Sequence, residues 1–168
     1  AKTVSRLPCA VIEIDFAPFI EAARLLYQGP WVAERWLVTR ELLENNPDAL
    51  LPVTRSILSS AKNFNAADAF AAQYRLAELR RQIEPTLASV TAILTPTIGS
   101  PCTRAQIAEE PLLRNTELGT YTNFMNLLDL AALAVPTFTF SNGLPNGVTL
   151  FADHGSDRQL LALATTLF

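Results

Sequence analysis

Histidine, lysine and cysteine are scarce in this chain. Its 168 residues hold one histidine and two cysteines, and its only lysines are Lys2 and Lys62. A nucleophile needs a base within reach, so a serine–histidine–acid set has to use His154, in FADHGSD. Its neighbours Asp153 and Ser156 are adjacent in sequence, and the simpler reading is a surface turn. A lysine base requires a lysine whose pKa is lowered by burial. Lys2 sits at a terminus. Lys62 follows Ser59 and Ser60 at the end of a short predicted helix, where a polar helix end is the simpler reading. One histidine and two distant cysteines do not supply a metal cluster, so no metal and no cofactor are expected. No two glycines are adjacent and no GxxxxGK stretch occurs, which excludes a phosphate loop.

Charge is also sparse. Charged residues make up 17%, below the ~25% of ordinary soluble domains. No lysine or arginine block exists, so a nucleic-acid partner has no electrostatic footprint. The densest basic stretch, RLAELRR (75–81), alternates with apolar residues and reads as one solvated helix face. No window approaches the ~20 apolar residues of a membrane span, and no membrane association is expected. The opening AKTVSRLPCAVIEID has no uninterrupted apolar core after its basic residues, unlike a signal peptide. A cytoplasmic, reduced protein is the expectation, with Cys9 and Cys102 as buried small hydrophobes. Apolar residues are plentiful at 49%, enough for a core and for some surface meant to be covered.

The pattern along the chain predicts α/β, a mixed β-sheet flanked by helices, in one compact unit spanning 1–168. AVIEID (10–15) alternates and predicts a strand. DFAPFIEAARLLY predicts a helix with Pro18 in its first turn. Gly29-Pro30 interrupts it, and a second helix follows and stops near Pro47. PVTRSILSSA predicts a short helix. NAADAFAAQYRLAELRRQIE is the clearest helix, with Asn65 as cap and Phe70, Tyr74, Ala77 and Ile83 as its stripe. SVTAILTPT predicts a buried strand turning at Pro96, and 99–118 reads as loop. GTYTNFMNLLDLAALAVP predicts a helical run against a short strand ending at Pro136. TFTFSNGLPNGVTLF reads as two strands around a turn. SDRQLLALATTLF closes the chain as a helix capped by Ser156 or Asp157.

Four segments change the functional reading: FAPFIEAARLLYQGPWVAER, AADAFAAQYRLAELRR, LGTYTNFMNLLDLAALAVP and GLPNGVTLFADHGSD, in this order. Together they resemble the later half of the amidase domain of allophanate hydrolases, a branch of the amidase-signature family. The resemblance covers nearly the whole chain, and YQGPWVAER (27–35) points to the allophanate branch. It implies hydrolysis of allophanate, the N-carboxylated form of urea, to ammonia and carbon dioxide in urea and cyanuric acid degradation. It implies a serine nucleophile, a second serine and a lysine, with the serines in a Gly/Ser-rich signature. That signature is not in this sequence, so no catalytic residue is assigned. The implied partners are a small anionic amide substrate and a preceding N-terminal amidase half, or a second chain, that carries the serines and lysine. A truncated, non-catalytic interaction or regulatory subunit is the alternative.

The resemblance assigns two substrate-binding residues, Tyr27 and Arg35. Arginine presents a planar fork of donors that suits a carboxylate. Tyrosine adds a directional hydroxyl. The Gly-Pro break between them turns the chain, so both could face one pocket. The competing reading packs Tyr27 on a helix end and pairs Arg35 with Glu34, Glu41 or another surface acid.

Overall fold

The computed structural model describes residues 7–140 and 143–167, apart from the side chains of Tyr27 and Phe138. Seven α-helices and three strands occur among these residues: α1 (Ala17–Gln28), α2 (Val32–Asn45), α3 (Pro52–Ser59), α4 (Ala66–Ser89), β1 (Ile93–Pro96), α5 (Arg104–Glu109), α6 (Pro111–Leu118), β2 (Ala131–Thr139), β3 (Pro145–Ala152) and α7 (Asp157–Leu167). The expected fold class holds: helices flank a small sheet, whose described strands run antiparallel in the order β1-β3-β2. Successive side chains of a strand point to opposite faces, and β3 uses both. Phe151, opposite Ile93, enters a core with Phe19, Leu79, Ile83 and Phe124. Leu150 and Ala152 point the other way and pack under Leu160 of α7.

The first core is aromatic. Phe19, Phe124 and Phe151 contact one another edge to face at centroid distances of 5.3–5.7 Å, and Phe16 stacks on Phe19 at 5.1 Å. Such pairs add about 0.5–1.5 kcal/mol each beyond the area they bury. Helix α4 supplies the opposite wall. Asn65 caps it, its side chain accepting from the Ala67 and Asp68 amides while Asp68 accepts from the Asn65 amide. The helix continues past Pro85 to Ser89. Two charged contacts tie α4 to its neighbours: Arg75 grips Glu21 of α1 through Nε at 2.5 Å and Nη2 at 2.7 Å, and Arg80 donates to the Leu127 carbonyl at 3.0 Å.

Several expectations need correction. Residues 10–15 form no strand, because no neighbouring strand pairs with them. Ile14 alone leans on the core while Val11 and Ile12 are exposed. The inward stripe of α4 is Ala72, Leu76, Leu79, Ile83 and Leu87, at helical spacing. Phe70, Tyr74 and Ala77 face outward. The stretch 99–118 contains α5 and α6. Thr103 and Gln106 form a reciprocal cap on α5, and Pro111 occupies the first turn of α6. The predicted helical run before β2 is a chain of turns over 119–129. Phe124, Met125, Leu127 and Leu128 are all buried there, more than one amphipathic face can hide. Asp129, with φ of 54°, closes the series in the left-handed region. Strand β2 runs on through Pro136, past an irregularity between Pro136 and Phe138. It lies at an edge of the described sheet, where proline removes no ladder bond that a neighbour needs. Cys9 is exposed and Cys102 half-buried, so neither is the core residue expected.

Candidate substrate-binding site

The break between α1 and α2 lies between Tyr27 and Arg35, the two residues that the resemblance assigns to substrate. A side chain at Gly29 would lie 2.5 Å from the Leu25 carbonyl, so only glycine lets the chain leave α1 this tightly. Pro30 and Trp31 then start the next helix, with the Ala33 amide bonding to the Pro30 carbonyl at 2.9 Å and Glu34 to Trp31 at 3.2 Å. Val32, 3% exposed, pins that first turn. Tyr27 is the penultimate residue of α1; its side chain lies outside the described residues. Arg35 is in the opening turns of α2 and half-buried. Its carbonyl accepts the Thr39 hydroxyl at 2.8 Å. The backbone therefore places Tyr27 and Arg35 on either side of one tight joint.

A hollow of about 390 Å³ opens beside this joint, between α2 and α4. Pro30, Trp31, Glu34 and Leu37 form one wall, and Ala69 and Gln73 the other. Arg35 does not line it. No sequence motif marks this hollow, because its walls come from helices more than 30 residues apart in the chain. A second hollow, of about 300 Å³, lies at the far end of the sheet among Thr97, Ile98, Pro136, Asn146 and Gly147. There the missing Gly147 side chain admits the Val135 carbonyl, which an added Cβ would meet at 2.4 Å.

The residues considered for serine chemistry are not brought together. His154 and Asp153 are both exposed, with Nδ1 and Oδ1 3.4 Å apart, and the Asp153 carboxylate accepts the His154 amide at 2.9 Å. That is a surface turn, as expected, and no described serine hydroxyl bonds to the ring. Ser60 donates to the Ile57 carbonyl at 2.7 Å, and Lys62 is exposed in the short 3-10 turn Ser60–Asn63. Lys2 lies outside the described residues.

The decisive comparison is with sequence families: a model of the family described as Amidase matches residues 1–161. The chain belongs to the amidase family. It is 43% identical to the urea amidolyase of Saccharomyces cerevisiae over 99% of its length, covering 9% of that protein. Among solved amidase-family structures, the allophanate hydrolase of Kluyveromyces lactis superposes on 99% of the chain with a TM-score of 0.95 and 41% identity. The K. lactis urea amidolyase matches equally well, at a TM-score of 0.95. The chain spans about a tenth of the urea amidolyases and 28% of that allophanate hydrolase, so it corresponds to one part of larger multidomain proteins. Among the described residues no helix is long and apolar enough to cross a membrane.

Proposed function

We propose that this chain is the C-terminal portion of an amidase domain of the allophanate-hydrolase kind, and that it supplies the substrate-holding side of the active site. The observation that carries this reading is the likeness to K. lactis allophanate hydrolase along 99% of the chain. Arg35 binds the carboxylate of allophanate through two parallel charge-assisted bonds, and Tyr27 orients it with its hydroxyl. A serine hydroxyl from the preceding amidase portion, or from another chain, adds to the amide carbonyl. Ammonia leaves, and water hydrolyses the resulting acyl-enzyme. Ser59, Ser60, Lys62 and His154 take no part in this chemistry. By itself the chain does not turn substrate over, and it works in the cytoplasm.

The test is kinetic. In an intact allophanate hydrolase carrying this chain in place of its own equivalent segment, Arg35→Ala should raise KM for allophanate about ten- to hundredfold, the equivalent of ~1.5–3 kcal/mol for a bond to a charged group. Tyr27→Phe should raise KM by a smaller factor. An unchanged KM in Arg35→Ala, with the fold intact by circular dichroism, removes Arg35 from the site.

A further inference from the structure

We draw no further inference here: the strongest candidate, the surface patch of exposed apolar side chains Leu37, Val38, Phe70 and Tyr74 on α2 and α4, lies on a chain that spans 28% of the K. lactis allophanate hydrolase, and nothing in the structure shows what covers it.

Discussion

The two sides of the molecule are built differently. Around α1, α4 and β3, Phe19, Ala22, Leu79, Phe124 and Phe151 are at most 1% exposed, and the three aromatic ones interlock. Helix α2 has 14 residues and buries only Val32, while Leu37, Val38 and Leu42 stay exposed. The aromatic side can hold its shape through packing alone. The α2 side, which carries Arg35, is positioned mainly by the joint at Gly29-Pro30 and by contacts with α3 and the 3-10 turns beside it. The lesson concerns division of labour: stability resides where the phenylalanines are, and the proposed recognition residues sit on an element with little core of its own.

The contrast can be broken by substitution. The largest effect is expected for Phe124→Ala, which empties the centre of the aromatic cluster. It should lower unfolding stability by about 3–5 kcal/mol, read as a fall in the urea midpoint at constant m-value. Gly29→Ala comes next. The new methyl meets the Leu25 carbonyl, and forced contacts of this kind cost about 1–3 kcal/mol. It should also impair substrate binding in an intact enzyme more than its stability loss explains, because it shifts α2 as a body.

A smaller effect tests the clamp between α1 and α4. The hydrogen bonds from Arg75 hold the Glu21 carboxyl below its ordinary pKa. A carboxyl lowered in the folded state contributes stability above its unfolded pKa and loses it as pH falls through the folded value. Wild type should therefore lose stability between pH 5 and acid conditions more steeply than Glu21→Gln, measured by thermal melts across that range. Both partners are partly exposed, so the difference should shrink in high salt. The smallest effect is expected on the exposed face of α2. Val38→Ser should change stability by no more than about 0.5 kcal/mol, and a loss comparable to that of Phe124→Ala would show that α2 is a core element after all.

What was legible in the sequence was mostly local. The break at Gly29-Pro30 follows from the missing donor and fixed φ of proline, and the Asn65 cap from side-chain chemistry within three residues. Helices α5 and α6 also had local signals, Thr103 with Gln106 and Pro111, but helices of six and eight residues are too short for periodicity to show. The failed strand at 10–15 shows the limit of alternation: a strand needs an edge to pair with, and that is a tertiary fact. Phe70 and Tyr74 misled for a related reason, since an apolar side chain does not say which helix face meets the core. Tyr27 and Arg35 were assigned through family resemblance, with no chemistry of their own that singles them out. The Trp31–Gln73 hollow was invisible, because its lining residues lie on two helices far apart in the sequence.

The most direct test is ammonia release from freshly prepared allophanate, by this chain alone and with an added N-terminal amidase portion from an allophanate hydrolase. The account predicts no release from the chain alone and release on complementation, lost again in Arg35→Ala. Release by the chain alone would contradict it, and would place the nucleophile among Ser59, Ser60 and the other residues assigned no part here.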